Sequence, residues 1–367
     1  VSTTFTAAVI ACWPRCAGPH LLDQVRRHRA QLLALGGAFG HFGSQRPRHA
    51  QDVPPDAHRD GRRRGPLVVP DVANHRTLGT LGIGDDTVDG SNVNRNGTTT
   101  NGERAVERSV RIGDTEVARI GLGTNRLRRT RRNEALIRDA VAAGVGLIDT
   151  AHTYASGESE ATIGAALGPT HRGIVVATKG GWGAGNGRPE VLRAQIAESL
   201  RRLRAETIEL YYLHRVDPET PLEESLGLLK ECQDAGTIRH VGLSEVDVDT
   251  IERARRILPI AAVQNHYNVS ERKYDEVVDY CAREGIVFVP FYPVRDLRVP
   301  ALDRIAERHG ATPAQIALAW LLRRSPAMVP IPGTLSTEHL RENLGALDIE
   351  LSDDEFQAVG SPTARTR

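Results

Sequence analysis

From about residue 110 onward, short apolar runs alternate with longer stretches in which apolar side chains recur every three or four positions. The runs predict strands at 119–122, 146–149, 174–178, 209–213, 238–243, 261–264, 287–290 and 328–331. The stretches between them predict helices at 134–143, 159–167, 189–203, 222–235, 249–257, 271–284 and 313–323. Several helices carry their own end signals. Gly144, Gly236 and Gly285 follow as left-handed stops, and Thr312-Pro313 offers an N-cap with proline in the first turn. Ahead of the series, Val110-Arg111-Ile112 and Glu116-Val117-Ala118 flank Gly113-Asp114, a hairpin by its turn chemistry.

Eight strands with intervening helices in about 250 residues predict a (β/α)8 TIM barrel over residues 106–367. A doubly wound sheet is the competing architecture. It calls for a Gly-x-Gly-x-x-Gly turn opening a helix after the first strand, and here that strand runs into Gly121-Leu122-Gly123-Thr124-Asn125 with no third glycine. Residues 1–105 keep neither period and are punctuated by Gly36-Gly37, Pro54-Pro55 and an arginine-rich run at 61–66. They are expected to be a disordered, low-complexity extension, with at most one basic helix at 21–35, because they cannot bury enough apolar surface to offset ordering. A translation start assigned too far upstream would leave the same signature.

Composition adds two things to this picture. The 47 basic and 46 acidic residues give a net charge of +1, so no nucleic-acid partner is implied. Lysine occurs only at 179, 230 and 273, which makes a lysine at the end of an apolar strand conspicuous. The four cysteines, Cys12, Cys16, Cys232 and Cys281, show no disulfide framework, and Cys12 and Cys16 lack the second pair a zinc site needs, so no metal is expected. No apolar run reaches the ~18 residues that span a bilayer, and 7–12 is too short and lacks the basic lead of a signal peptide. A cytoplasmic location without membrane contact is the expectation.

The candidate chemistry lies at strand ends. Asp149 closes the second strand, Tyr154 follows it by five residues, Lys179 follows the third and His214 the fourth. A parallel barrel directs all four into one mouth. Singly, each has a plainer role: Asp149 as a strand-end cap, Tyr154 as an amphipathic rim residue, Lys179 as a snorkelling cation, His214 as a core histidine. Together they match carbonyl reduction, which needs a proton donor and a positive field at the carbonyl oxygen. Tyr154 supplies the proton, the Lys179 ammonium is expected to lower the phenol pKa, Asp149 holds that ammonium, and neutral His214 gives a second hydrogen bond.

Residues 107–360 resemble the aldo-keto reductase superfamily. The resemblance rests on Ile148-Asp149-Thr150-Ala151-His152-Thr153-Tyr154, Gly157-Glu158-Ser159-Glu160, Val176-Ala177-Thr178-Lys179, Leu200-Arg201-Arg202-Leu203, Tyr211-Tyr212-Leu213-His214, the run at 236–244, Gln264-Asn265 and Ile331-Pro332-Gly333-Thr334. It implies Asp149, Tyr154, Lys179 and His214 as a catalytic tetrad and a nicotinamide cofactor, NADPH with NADH not excluded, lying across the mouth. Gly123 and Thr124 would border that cofactor, Ser244 and Gln264 would bind its carboxamide, and Phe291 would face the nicotinamide. Thr334, His339, Glu342 and Asn343 would meet its adenosine end. Gly333 and His339 stand where some members carry a lysine and an arginine for the 2′-phosphate. Val294-Arg295-Asp296 replaces the usual glycine-containing loop.

The substrate pocket is expected from Asn125, Trp182 and 295–300, with a small-molecule carbonyl compound as the partner. Two other functions compete with reduction. One is a cofactor-sensing regulatory subunit like the potassium-channel β-subunits of the same superfamily, which a stable membrane partner and negligible turnover would favour. The other is a phosphate-binding isomerase or lyase, for which Pro330-Ile331-Pro332-Gly333 supplies too few glycines. Oligomeric state leaves no trace in the chain.

Overall fold

The computed structural model describes residues 107–169 and 173–361. The expectations for 1–105, including the helix at 21–35 and the pair Cys12 and Cys16, lie outside the described residues. The predicted hairpin is present as β1 (Ser109–Ile112) and β2 (Thr115–Ala118), paired antiparallel around Gly113 at φ 59°. Seven parallel strands follow in sequential order: β3 (Leu122–Gly123), β4 (Leu147–Asp149), β5 (Val175–Gly180), β6 (Ile208–Leu213), β7 (Ile238–Ser244), β8 (Ile260–Gln264) and β9 (Val287–Phe288). The helices between them are α1 (Arg131–Ala142), α2 (Glu158–Leu167), α3 (Pro189–Leu203), α4 (Leu222–Asp234), α5 (Val248–Arg255) and α6 (Asp275–Glu284).

The expected eighth strand is in place but is not a regular ladder. On one side Val329 N–H donates to Phe288 O (2.9 Å) and Ile331 N–H to Pro290 O (3.3 Å); on the other, Gly121 and Gly123 N–H donate to Pro330 O (2.9 Å) and Pro332 O (3.3 Å). The segment thus joins β9 to β3 and closes the (β/α)8 barrel. Pro330 and Pro332 have no N–H to return toward β3, so half of that ladder is missing. Buried Arg119 anchors the start of this segment by donating to the carbonyls of Met328 (3.2 Å), Leu322 (2.8 Å) and Ser325 (2.5 Å). Its burial among neutral acceptors brings the guanidinium pKa down to about 10.

Inside the barrel, Leu147, Val175, Leu210, Ala262, Val287 and Val329 form one apolar cluster with Ile112 and Val117 of the hairpin. These are residues near the strand beginnings, so the hairpin stops the end opposite the strands' C-terminal mouth. Three helices were not anticipated: α7 (Pro300–His309), α9 (Thr337–Gly345) and α10 (Asp353–Gly360), with α8 (Pro313–Arg324) lying where expected. The helix expected from 271 starts at Asp275 instead, because Asn268 Oδ1 accepts from Ser270 and Glu271 N–H and holds that stretch in a turn.

Candidate active site

Asp149 is the last residue of β4, Lys179 the penultimate residue of β5, and His214 directly follows β6. Parallel pairing places these ends side by side, and Lys179 lies opposite Tyr212 in the register. Lys179 Nζ donates to Asp149 Oδ1 (2.6 Å) and to Thr150 O (2.7 Å), while Gln264 Nε2 donates to Asp149 Oδ2 (2.7 Å). Lys179 Nζ lies 5.0 Å from the Tyr154 ring centroid. The rings of Tyr154 and His214 stand nearly perpendicular with centroids 6.1 Å apart.

Tyr154 reaches this position through a tight backbone path. It opens a 3-10 turn, Tyr154–Gly157, in which Ala155, Ser156 and Gly157 all take positive φ (48°, 55° and 87°). Left-handed backbone at two residues that carry a Cβ is strained and needs outside support. Arg202 of α3 supplies it, donating from Nη1 to His152 O (3.0 Å) and to Glu160 Oε2 (3.2 Å), and from Nη2 to Glu198 Oε1 (2.6 Å). A Cβ on Gly157 would lie 2.2 Å from Arg202 Cζ, so glycine is required for both its φ and this contact. Fully buried Glu160 also accepts from Thr178 Oγ1 (2.6 Å), which ties the same clamp to the residue before Lys179.

Burial sets the electrostatics. It pushes the Asp149 carboxyl up, against the Lys179 ammonium and the hydrogen bonds from Lys179 and Gln264. It pulls His214 down to about 2, with the Lys179 and Arg215 charges acting in the same direction, so the imidazole is neutral. For Tyr154 the sequence expectation is corrected. Burial raises the phenol above its ordinary value and outweighs Lys179, whose effect the Asp149 charge partly cancels. The phenol therefore holds its proton at neutral pH, with the Lys179 ammonium 5.0 Å from its ring centroid.

A cavity of about 590 Å3 at the mouth is lined by Asp149, Tyr154 and His214 together with Gly123, Thr124, Asn125, Trp182, Ser244, Gln264 and Phe291. Lys179 is buried next to it, held against Asp149. Thr334, His339, Glu342 and Asn343 line a second cavity of about 790 Å3, and Arg126, Val294 and Gly333 border both. Every candidate residue except Lys179, which is buried beside the first cavity, therefore lines one of two adjoining cavities. Some donors are already committed. Thr124 Oγ1 donates to Asp149 O (2.7 Å) and lies 2.8 Å from Ser159 Oγ, so that hydroxyl braces strand ends. Gln264 has its amide N–H on Asp149 and keeps its Oε1 as an acceptor. At Gly123 a Cβ would sit 2.7 Å from Ile331 O, so the glycine serves barrel closure.

The Phe291 ring is stacked on His266, 5.3 Å between centroids and 17° from parallel. Trp182 is about half exposed and packs against His214 (4.6 Å between centroids). The glycines around Trp182 predict a mobile loop, yet Asp217 ties it down, accepting from Gly185 N–H (3.0 Å) and Gly187 N–H (2.8 Å). Burial pushes the Asp217 carboxyl up, but donors from Glu219, Thr220, Gly187 and Gly185 outweigh it and hold the group down at about 2. Arg126, Arg215 and Tyr292 also line the first cavity and were not anticipated. The expected substrate segment 295–300 contributes Arg295, whereas Pro300 is the first residue of α7. Among the described residues no cluster of three His, Cys, Asp or Glu is placed to hold a metal ion, and no helix is long and apolar enough to cross a membrane.

The structure is thus a closed parallel barrel with an Asp, a Tyr, a Lys and a His gathered at the C-terminal ends of its strands. The sequence model of the aldo/keto reductase family matches residues 119–296 and 295–361, and the chain belongs to that family. An uncharacterised oxidoreductase of Schizosaccharomyces pombe is 38% identical over 269 residues, covering 68% of this chain and 87% of the relative. Pyridoxine 4-dehydrogenase of Escherichia coli is 36% identical over 235 residues, covering 60% of this chain and 82% of that enzyme. The crystal structure of an aldo-keto reductase from Klebsiella pneumoniae in complex with NADPH matches with a TM-score of 0.64 and 28% identity, over 71% of this chain and 98% of that one.

Proposed function

We propose that this chain reduces a small aldehyde or ketone to the alcohol with NADPH, with Tyr154 as the general acid. The observation that carries the reading is the convergence of Asp149, Tyr154 and His214 on one cavity, with the Lys179–Asp149 ion pair buried against it. The NADPH-bound Klebsiella neighbour and the dehydrogenase relative support the redox class.

The residues present fit such a cofactor. The two adjoining cavities provide an elongated cleft, Phe291 offers a ring beside the tetrad, and Ser244 and the free Oε1 of Gln264 suit a carboxamide. When bound, NADPH supplies the hydride that reaches the carbonyl carbon. As negative charge accumulates on the carbonyl oxygen, Tyr154 gives that oxygen its phenolic proton and the product leaves as the alcohol. Lys179 stabilises the resulting phenolate until solvent returns a proton. Asp149 and Thr150 O keep Lys179 in place, and Gln264 keeps Asp149 in place. His214 is neutral, and its Nδ1 is buried without a partner among the described residues. A proton on Nε2 therefore makes it a donor to the same oxygen.

The test is purified protein with NADPH and a panel of aldehydes, followed by loss of reduced-nicotinamide absorbance. Turnover with at least one aldehyde is expected, and failure across the panel sinks the reading. Fluorescence titration with NADPH and with NADH then measures the effect of having Gly333 and His339, in place of a lysine and an arginine, at the adenosine end.

A further inference from the structure

Partly buried arginines in this fold are otherwise matched. Arg202 pairs with Glu160 and Glu198, Arg324 with Asp275 and Asp279, and Arg119 is surrounded by carbonyl oxygens. Arg215 is the exception in the cavity wall. It follows His214, lines the first cavity, and has no carboxylate within ion-pair distance among the described residues. Burial lowers its pKa from the ordinary arginine value, while the Glu245 charge acts only from a distance. The Glu245 oxygens are otherwise engaged: Oε1 accepts from His266 N–H (2.6 Å) and Oε2 from Tyr274 OH (3.5 Å).

The guanidinium is held in one orientation. It lies 4.7 Å from the centroid of the Trp182 ring, and its Nη1 donates to His214 O (2.6 Å) and Ser244 Oγ (3.0 Å). A guanidinium carries five N–H donors, and both protein bonds here use Nη1. Among the described residues Nε and Nη2 have no acceptor, and a planar fork of this kind matches a carboxylate. The other cavity arginines are placed differently. Arg126 lines both cavities and is exposed, and exposed Arg295 lies beside Asp296, whereas Arg215 is partly buried against Trp182 at the tetrad.

We infer that Arg215 forms an anion subsite for a carboxylate carried by the carbonyl substrate, so that the preferred substrates are small aldehydes or ketones bearing a carboxylate group. The substrate assignment rests on the reductase reading above, while the subsite itself does not require turnover.

The experiment compares 4-carboxybenzaldehyde, an anion, with 4-methylbenzaldehyde, which is neutral and of similar shape, in the full-length protein and in Arg215→Gln and Arg215→Lys. The unchanged protein should show at least a tenfold lower KM for the carboxylated aldehyde. Arg215→Gln should bring the two KM values together, and Arg215→Lys should keep part of the difference, since it retains charge but loses the fork. Benzoate added to the NADPH-mixed protein should quench Trp182 fluorescence, with Trp182→Phe as the control, and Arg215→Gln should abolish the quench. Equal KM values in the unchanged protein overturn the subsite and leave the reductase reading standing. Equal rises in both KM values, or matching loss of NADPH affinity, in Arg215→Gln also overturn it by making Arg215 a structural or cofactor residue. No turnover with any aldehyde, combined with an Arg215-dependent benzoate quench, supports the subsite and removes the reductase reading.

Discussion

If His214 is held neutral, the fold must lose stability in acid by a calculable amount. Burial, with Lys179 and Arg215 adding to it, takes the imidazole from an ordinary 6.5 down to about 2. Below an unfolded pKa of 6.5 the unfolded chain gains a proton that the native chain does not accept until about 2. The unfolded state therefore binds more protons, and stability present above that unfolded pKa drains away as the pH falls toward the folded one. Each pH unit within the window costs about 1.4 kcal/mol, so moving from about pH 7 to about pH 5 removes about 2 kcal/mol through this one side chain. Other titrating groups contribute as well, so the assay is a difference. Urea unfolding followed by circular dichroism is measured at both pH values for the unchanged protein and for His214→Asn, which has nothing to titrate at that position. The unchanged protein should lose about 2 kcal/mol more than the variant. Equal losses would mean that His214 accepts a proton inside the fold, and a charged imidazole with that freedom does not fit its proposed place beside Lys179.

Two further outcomes follow from the same structure. Arg202→Ala leaves the fully buried Glu160 carboxylate without its cation, which should cost about 3–5 kcal/mol in unfolding experiments; adding Glu160→Gln should recover part of the loss, and no recovery would contradict the clamp. A chain beginning at Ala105 should unfold at the same temperature and bind NADPH with the same affinity as the full chain, because the hairpin of β1 and β2 already fills the far end of the barrel. A large drop in either would show that residues before it support the barrel.

Much of the barrel is legible in the chain because each strand is an apolar run and each helix a periodic one. The exceptions have local causes. Residues 328–333 pair like a strand on both sides, but two prolines remove half of the donors on one side. Helix α7 carries readable signals, Pro300 at its start and left-handed Gly310 after its end, but its first residue coincides with the segment 295–300 that the barrel pattern marks as a substrate loop. Helix α10 carries a reciprocal capping box between Ser352 and Glu355 that was equally readable.

The tetrad stands out for a chemical reason: with lysine so scarce, Lys179 at a strand end attracts notice, and its spacing to Asp149 and His214 follows the strand repeat. Arg126 and Arg215 do not stand out in an arginine-rich chain, and Arg202 is visible only as part of a motif, since its clamp on Glu160 and His152 joins residues far apart in sequence. The direction of the Tyr154 pKa is not legible in sequence, because proximity of a cation follows from strand order whereas the depth of burial that opposes it does not.

The most direct measurement is NADPH oxidation by the unchanged protein and by Tyr154→Phe with the same aldehyde, alongside NADPH affinity for each. Loss of the phenolic proton donor should reduce kcat by about 10²–10⁴-fold with the cofactor affinity essentially unchanged. Full activity in Tyr154→Phe would contradict the claim that this phenol delivers the proton.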